Sequence, residues 1–335
     1  MNHPISGPTK GVRIAGTGMA VPERVLTNED VATMVDTSDG WISQRTGIKS
    51  RHIVEDDTTV RDLAVQALKQ ALDSAGIEAD QLDLVILATL TPEMVCPATA
   101  TRVVAEIGAA PAGGMDLSAA CSGFVYGLNV AASLMQTGHY RHIAVVGSEL
   151  LSKIIDWQDR RSCVLFGDGA GAAILAAAQD EGPGCLYQSM SSNGNGWEFL
   201  YCPRSERDLP PDANGFSGKY NTLQMNGREV YKFAVSTLQD TIVKAVQGAG
   251  IELEDLAMII PHQSNQRILE SARERLGLTP DKLYTNIERY GNTSAASIPI
   301  CLHELTASGR IRTGDLILLV GLGGGLTWAS SVWRL

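Results

Sequence analysis

The stretch that decides the fold is residues 115–138, MDLSAACSGFVYGLNVAASLMQTG. Met115 and Leu117 end a short apolar strand, and Cys121 follows at the point where a helix is predicted to begin. No charged residue occurs between 117 and 138, and apolar residues recur there at helical spacing: Phe124, Val125, Leu128, Ala131, Ala132 and Met135. A helix that is apolar on nearly every side lies in a protein interior, so the stretch predicts a buried central helix.

The chemistry of this stretch depends on Cys121. A thiol at a buried helix N-terminus faces the positive end of the helix dipole and unpaired backbone N–H groups, both of which favour the thiolate. The same cysteine could equally be a small core residue, which is the commoner role of a buried cysteine. Residues 115–138 alone therefore predict a nucleophile and a packing residue with equal weight.

Composition excludes several classes of function. The chain has 335 residues and a formal net charge of −10, which argues against general nucleic-acid affinity and against binding to a membrane surface. The N-terminal sequence MNHPISGPTKG lacks the apolar region of a secretory signal, and a cytoplasmic protein is expected. The six cysteines have no Cys-x-x-Cys spacing, so neither a disulfide framework nor a zinc site is predicted.

Alternating helix and strand signals run along the first half. Residues 12–16 predict a strand, Thr27-Asn28 caps a short helix reaching Val35, and 36–57 is loop-like. Thr59 and Asp62 form a capping-box pattern ahead of a helical stripe that ends at Gly76. Continuous apolar runs at 84–88 and 143–147 are typical of strands buried on both faces.

The second half repeats the first. Residues 75–78, AGIE, recur as 249–252 with an offset of 174, and the same offset relates strands 143–147 and 317–321. Between them the register slips by three, because Gly138 matches Gly309, and on that slipped register Cys121 falls opposite Asn292. The identities are few, so chance is an alternative, but the agreement of helix, strand and spacing favours a duplicated α/β unit.

The repeat brings three polar residues together. If the halves are related by a pseudo-twofold axis, Cys121 and Asn292 face each other at equivalent strand-to-helix junctions. His262 follows the apolar run 256–260, at the position that Ala88 occupies in the first half. A lone histidine or asparagine is ordinarily structural, but α/β proteins place function at the carboxyl ends of strands, and the convergence favours a site.

These residues lie in motifs that resemble those of β-ketoacyl-acyl-carrier-protein synthase III, one of the thiolase-fold condensing enzymes. The motifs are VDTSDGWISQRTGI (35–48), AACSGF (119–124), FGDGAGAA (166–173), PHQSNQRI (261–268), RYGNTSAAS (289–297) and GLGGGLTW (321–328). The resemblance implies an α/β thiolase-like fold with duplicated βα halves in five αβαβα layers, and a homodimer. The halves are predicted at 1–178, with the cysteine, and 179–335, with the histidine and asparagine.

The resemblance also implies a reaction. Cys121 would accept an acyl group from acyl-coenzyme A, with the backbone N–H groups of Cys121 and Gly324 as the oxyanion hole. Malonyl-acyl-carrier protein would then lose carbon dioxide, and the resulting enolate would attack the acyl-cysteine. His262, as a neutral imidazole, and Asn292 would donate hydrogen bonds to the enolate oxygen. The acyl-coenzyme A thioester is a substrate here, and neither a cofactor nor a metal is implied.

Further roles follow from the resemblance alone. It implies a coenzyme A site formed by Trp41, Arg45, Arg160, Arg228 and Asn265. Lys232 and Arg267 would offer positive charge to the acidic carrier protein, although a solvated surface position explains any single arginine equally well. Relatives carry phenylalanine where this chain has Cys96 and Leu322 in the acyl pocket, Cys96 being reached across the dimer. Smaller residues predict acceptance of primers longer than acetyl.

Other functions would require different sequence features. A condensing enzyme that primes a polyketide or quinolone pathway would keep the same cysteine, histidine and asparagine. A thiolase needs a second catalytic cysteine near the C-terminus, but the last cysteine is Cys301. A nucleotide-dependent oxidoreductase is disfavoured because neither Gly16-x-Gly18 nor the glycines at 167–171 complete G-x-G-x-x-G at a first βα turn. A non-catalytic binding protein would not need all three polar residues.

Overall fold

The computed structural model describes residues 9–55, 57–178, 184–211, 213 and 216–335, so most of the N-terminal segment used to predict the absence of a signal lies outside it. The helices are α1 (Asn28–Ala32), α2 (Asp39–Thr46), α3 (Val60–Ala75), α4 (Thr99–Glu106), α5 (Gly123–Met135), α6 (Gly227–Ala249), α7 (Gln266–Arg275), α8 (Ile287–Tyr290) and α9 (Ser297–Ala307). The strands are β1 (Thr9–Lys10), β2 (Val12–Ala20), β3 (Val25–Thr27), β4 (Ser50–His52), β5 (Leu84–Ala88), β6 (Gly113–Leu117), β7 (His142–Leu150), β8 (Asp168–Ala177), β9 (Gly184–Ser192), β10 (Leu200–Tyr201), β11 (Gln224–Met225), β12 (Leu256–Pro261), β13 (Leu316–Gly323) and β14 (Thr327–Arg334).

Two five-stranded sheets carry the duplication. Their strand orders are β2-β8-β7-β5-β6 and β1-β9-β14-β13-β12. Strands β2, β8, β7 and β5 have the same relative directions as β9, β14, β13 and β12, with the parallel pairs β5–β7 and β12–β13 in corresponding places. The predicted duplicated α/β unit is therefore confirmed. The division at residue 178 stays a prediction, because residues 179–183 lie outside the described residues.

The fold has five layers, and the predicted central helix lies in the middle layer. Helices α5 and α9 both lie between the sheets in one apolar core, and α5 contacts strands of both sheets. Helices α3 and α4 cover the outer side of the first sheet, and α6 and α7 cover the outer side of the second. Burial from two sides explains why residues 117–138 carry no charge, since an unpaired charge there would lose its hydration.

The register of the repeat differs from the sequence prediction at the site. The 3-10 turn Ala120–Ser122 precedes α5, and the matching turn Ser294–Ala296 precedes α9, at the unslipped offset of 174. Cys121 therefore corresponds to Ala295, and its predicted pairing with Asn292 is wrong. The slip of three residues arises later: α9 has 11 residues where α5 has 13, and the turn from the helix end to the glycine is one residue shorter at Gly309 than at Gly138.

The sequence correctly predicted both ends of α3 but missed the short helix and the strand that precede it. Thr59 and Asp62 form the predicted capping box, and Gly76 ends α3 in the left-handed conformation with φ of 64°. The predicted loop at 36–57 instead contains α2 and β4. The Ser38 hydroxyl accepts the N–H of Trp41 to begin α2, and Gly47, with φ of 80°, ends it.

Candidate active site

Cys121 lies in a tight turn between β6 and α5. It belongs to the 3-10 turn that follows Ala120, whose φ is 47°, and only 7% of its surface is exposed. The pKa of the Cys121 thiol is raised to about 12: burial is the largest cause and the nearby Glu149 also raises it, whereas the Ser294 hydroxyl lowers it. Loss of hydration therefore opposes the thiolate that the helix N-terminus favours, and it keeps the proton on the sulfur of the substrate-free enzyme.

His262 is held as a neutral hydrogen-bond donor. It follows β12, and its backbone N–H donates to the Val320 carbonyl at 2.8 Å. Its Nδ1 lies 2.8 Å from the Oγ of Ser297, which also accepts the Gln263 N–H at 3.3 Å. We assign the Ser297 proton to this hydrogen bond, which leaves the proton of the imidazole on Nε2. Burial lowers the pKa of His262 to about 3, in agreement with the predicted neutral imidazole.

Asn292 is fixed through both its backbone and its side chain. Its backbone N–H donates to the Leu165 carbonyl at 2.9 Å, and its carbonyl accepts the Gly167 N–H at 3.0 Å. The side-chain Oδ1 accepts the Ser294 N–H at 2.8 Å. With the oxygen of the amide occupied, the Nδ2 hydrogens are the groups that remain to donate.

The three polar side chains meet at one cavity, as the sequence predicts. A space of about 180 Å³ is bordered by Cys121, His262 and Asn292, together with Asn265 and Gly324. Most of the wall is apolar and comes from segments far apart in the chain: Leu165, Phe166, Leu200, Met225, Val230, Tyr231, Phe233, Ile268, Leu322 and Leu326. A narrow apolar space with a few converging polar groups is typical of a substrate site.

The carboxyl end of β13, where the glycine-rich segment begins, lies against the cysteine. A Cβ atom placed on Gly323 would lie 2.7 Å from the backbone nitrogen of Cys121, and one on Gly321 would lie 2.8 Å from the Ser122 Cα. Side chains there would displace the turn that holds the thiol. Gly324 borders the cavity next to this contact. The backbone of the turn can thus approach a bound substrate closely.

Most of the predicted coenzyme A residues form one group beside this cavity. The Trp41 ring faces two guanidinium carbons, that of Arg160 at 5.2 Å and that of Arg45 at 5.9 Å from its centroid. Asn265 borders the cavity and donates from Nδ2 to the Arg45 carbonyl at 3.2 Å. The asparagine therefore connects the tryptophan–arginine group to the cysteine.

The predicted carrier-protein residues lie exposed near the N-terminal ends of two helices, Lys232 in α6 and Arg267 in α7. Arg228, assigned from the sequence to coenzyme A, is also exposed there. Lys232 forms an ion pair with Glu229 at 2.7 Å, so part of its charge is neutralised. Arg267 lies over the ring of Tyr231 at 5.9 Å.

The two predicted acyl-pocket residues lie apart. Leu322 borders the cavity and is 4% exposed. Cys96 is exposed and does not border this cavity within one chain. Its contribution across a dimer stays a prediction.

Sequence reasoning missed the residues that shape and orient the site. Phe166 and Ser297 lie inside motifs that were noticed, but alternation and spacing do not show which motif residue faces a cavity. Leu200, Tyr231 and Phe233 belong to segments without a motif and are brought to the site by tertiary packing.

Within the described ranges, no group of three or more histidine, cysteine or acidic side chains could hold a metal ion. In the same ranges, none of the helices combines the length and apolarity needed to span a membrane.

The layered duplicated fold and the cysteine–histidine–asparagine cluster place the chain among the thiolase-fold enzymes. Residues 115–194 match the family described as 3-oxoacyl-[acyl-carrier-protein (ACP)] synthase III, and residues 246–335 match its C-terminal part. The β-ketoacyl-[acyl-carrier-protein] synthase III of Caldanaerobacter subterraneus subsp. tengcongensis is 48% identical over 95% of this chain and 96% of the relative. The chain therefore belongs to the 3-oxoacyl-[acyl-carrier-protein] synthase III family.

Solved structures agree with this assignment. The 3-oxoacyl-[acyl-carrier-protein] synthase III of Aquifex aeolicus VF5 superposes with a TM-score of 0.90 at 42% identity, covering 97% of this chain and all of that one. A priming β-ketosynthase from the R1128 polyketide biosynthetic pathway also superposes with a TM-score of 0.90, at 34% identity, covering 100% of this chain and 99% of that one. The same fold and comparable coverage thus occur in enzymes named for two metabolic settings.

Proposed function

We propose that the chain is an acyltransferase that initiates fatty acid synthesis. It loads an acyl group from acyl-coenzyme A onto Cys121 and condenses it with malonyl-acyl-carrier protein in a decarboxylative Claisen reaction. The products are 3-oxoacyl-carrier protein, carbon dioxide and coenzyme A. The observation that carries the proposal is the meeting of Cys121, His262 and Asn292 at one apolar cavity, in a chain of the synthase III family.

Acyl transfer uses the cysteine and the glycine-rich turn. The Cys121 sulfur attacks the thioester carbonyl carbon, and the carbonyl oxygen becomes an oxyanion. The N–H groups of Cys121 and Gly324 stabilise this oxygen, an assignment supported by the close packing of residues 321–323 on the turn that contains Cys121. Collapse of the intermediate leaves acyl-Cys121 and releases coenzyme A.

Condensation uses the donors from the second half of the chain. Loss of carbon dioxide from the malonyl group leaves an enolate, and negative charge develops on its oxygen. His262 Nε2–H and Asn292 Nδ2–H stabilise that charge, since their other polar atoms are occupied by Ser297 and Ser294. The enolate carbon attacks acyl-Cys121, and the sulfur leaves.

The direct test combines acyl-coenzyme A and malonyl-acyl-carrier protein with the purified enzyme. We expect carbon dioxide, free coenzyme A and 3-oxoacyl-carrier protein to form in equal amounts. Mass spectrometry of the carrier protein identifies the 3-oxoacyl product. Transfer of the acyl group to the carrier protein without release of carbon dioxide would contradict condensation.

The Leu322→Phe substitution is expected to shorten the accepted primer. The phenylalanine ring would occupy cavity space next to the acyl chain, and each methylene excluded from an apolar pocket is worth ~0.8 kcal/mol, or about fourfold in kcat/KM. We expect little change with acetyl-coenzyme A and a loss of about tenfold or more with butyryl- and longer thioesters. Leu322→Met, which keeps the volume, is the control. A wild-type rate that collapses beyond propionyl-coenzyme A would contradict the deeper pocket.

The Trp41→Ala substitution is expected to weaken binding of the adenine end of coenzyme A. Loss of one aromatic stacking surface costs about 1–3 kcal/mol, so KM for acyl-coenzyme A should rise roughly tenfold with little change in kcat. Trp41→Phe should recover most of the affinity. A short acyl thioester of N-acetylcysteamine, which lacks the nucleotide, should react equally with all three proteins; a rise in its KM would show that Trp41 shapes the site itself.

The remaining assignments complete the proposal. Arg45, Arg160 and Asn265 bind coenzyme A beside Trp41, and Arg228 lies along the pantetheine path. Lys232 and Arg267 receive the carrier protein. The enzyme works in the cytoplasm as a homodimer, without cofactor or metal, and Cys96 of a second copy closes the acyl pocket.

A second candidate is priming of a polyketide-type pathway. This candidate is supported by the similarity to a priming β-ketosynthase, which is 34% identical over the full chain. Both candidates use the same acyl-enzyme and the same donors, so they differ in the carrier protein and the primer. Comparing kcat/KM for a fatty-acid carrier protein and a polyketide carrier protein distinguishes them.

A further inference from the structure

A fully buried carboxylate lies behind the cysteine. Glu149, near the end of β7, has no exposed surface. Its Oε2 accepts hydrogen bonds from the Leu90 N–H at 2.9 Å and from the hydroxyls of Thr91 at 3.1 Å and Thr89 at 3.3 Å. Its Oε1 has no hydrogen-bond partner within the described part of the chain. A buried acceptor left unpaired is costly and calls for a functional explanation.

Ser294 connects this carboxyl group to the thiol. It begins the turn Ser294–Ala296, has a left-handed φ of 50°, and its N–H is held by Asn292 Oδ1. Its hydroxyl is buried and, among the described residues, makes no close hydrogen bond. The turn that contains Ser294 packs against β7, which carries Glu149, and against the turn that contains Cys121. In agreement with this placement, the Ser294 hydroxyl lowers the pKa of Cys121 and that of Glu149.

Packing keeps the three groups together. A Cβ on Gly147 of β7 would collide with the Ala295 carbonyl, so β7 lies directly against the turn that contains Ser294. The groups facing Glu149 from the loop after β5 and from this turn are hydroxyls and backbone N–H groups. Cys121 is the titratable group whose charge couples to Glu149.

We infer that Glu149 is the base that takes the Cys121 proton through the Ser294 hydroxyl and stores it while the enzyme is acylated. The inference deepens the proposed function and rests on it. As the sulfur attacks the thioester, the S–H proton passes to Ser294 Oγ and the hydroxyl proton passes to Glu149 Oε1. The C–S bond to coenzyme A then breaks, and the coenzyme A thiolate takes a proton from solvent.

The second half-reaction returns the proton. When the enolate carbon forms its bond to the acyl carbon, the C–S bond to Cys121 breaks and a buried thiolate is released. Protonated Glu149 gives its proton back through Ser294, which restores the thiol and the carboxylate. The charge lost with the malonyl carboxylate therefore reappears on Glu149, and no proton is needed from solvent at this step.

The affinity of the carboxyl group for protons suits this role. Burial raises the pKa of Glu149, to about 7, although the Leu90 N–H, the Ser294 and Thr91 hydroxyls and the Ala295 backbone act in the opposite direction. A base is most effective when its pKa lies near the working pH. Cys121, with a pKa of about 12, needs such a base because its thiolate is scarce at neutral pH.

The test uses alkylation of Cys121 by iodoacetamide in the substrate-free enzyme, followed by intact-mass analysis at pH 7.5. We expect Glu149→Gln and Ser294→Ala each to slow alkylation by about 10²-fold, the usual contribution of a general base. Thr91→Val, which keeps both the carboxyl group and the Ser294 hydroxyl, should slow it less than about threefold. The wild-type rate should rise with pH through about 7, and this rise should be absent from Glu149→Gln.

A purely electrostatic role of Glu149 would give the opposite result in the alkylation assay. If Glu149 acts only as a negative charge, Glu149→Gln would ease ionisation of the thiol and accelerate alkylation, which would overturn the inference. Circular dichroism establishes folding; should Glu149→Gln not fold, an unchanged alkylation rate in Ser294→Ala overturns it equally. Because the assay contains no thioester, failure of Cys121 to accept an acyl group would reject the proposed function and leave the alkylation results valid.

Discussion

The Cys121→Ala enzyme is expected to form no acyl adduct with any acyl-coenzyme A. Among the described residues, Cys121 supplies the only thiol at the cavity that it shares with His262 and Asn292. Alanine keeps the volume nearly unchanged and removes the nucleophile, so the fold should persist while condensation falls by at least about 10⁴-fold. Intact-mass analysis after incubation with a panel of acyl-coenzyme A thioesters measures the adduct, and the same panel reports the preferred chain length.

The control uses the two exposed cysteines. Cys96 and Cys202 are more accessible to a reagent than Cys121, so they are the residues that adventitious acylation would reach first. Cys96→Ala and Cys202→Ala should each keep one adduct of the wild-type mass, and tandem mass spectrometry should place it on Cys121. An adduct of full stoichiometry in Cys121→Ala would reject the nucleophile.

The central layer of the fold was predictable because its burial leaves a continuous pattern in the sequence. A helix covered by sheets on both sides must be apolar all round. The segment 117–138, which contains α5, shows this pattern because it carries no charged residue. The second half repeats α3 and its left-handed glycine as α6 and Gly250. Two amphipathic helices and two apolar strands at one offset were enough to predict the duplication.

The register at the site was not predictable from identities alone. Gly138 and Gly309 match, but a shared glycine after a helix does not show whether the length difference falls before or inside that helix. The structure places two of the three residues inside the helix and one in the turn after it, so Cys121 matches Ala295. The short helix α2 was missed for another reason: of its residues only Ile42 and Thr46 are buried, and one turn of apolar contact gives no periodicity.

The electrostatics of the site also needed coordinates. The sequence places Cys121 before a helix, which argues for a thiolate, but the effect of burial depends on segments brought from elsewhere. Glu149 and Ser294 lie 28 and 173 positions along the chain from Cys121, and no spacing rule relates them. The neutral state of His262 was predictable from the chemistry of the enolate, which requires a donor, and its burial agrees with that requirement.

His262→Ala and Asn292→Ala are each expected to slow condensation strongly while sparing acyl transfer. Each variant removes one donor to the enolate oxygen, and loss of one such donor costs about 10²–10³ in rate. The oxyanion of acyl transfer is bound elsewhere, by the backbone of Cys121 and Gly324, so acyl-Cys121 should still form. Decarboxylation of malonyl-acyl-carrier protein is followed on pre-acylated enzyme by release of labelled carbon dioxide, beside intact-mass analysis of the acyl-enzyme.

The pH dependence separates a donor from an acid–base role for His262. Its pKa is lowered to about 3, so the imidazole is neutral from pH 5 to 8 and its donor capacity does not change over that range. Decarboxylation by pre-acylated wild-type enzyme should therefore show no ionisation between pH 5 and 8 that His262→Ala removes. If such an ionisation is present, His262 exchanges a proton during the reaction and acts as an acid or base. The Ser297 hydroxyl would then position the His262 ring without fixing its tautomer as a donor. Equal loss of acyl transfer and decarboxylation in Asn292→Ala would instead show that the amide supports the turn at Ser294, whose N–H it accepts.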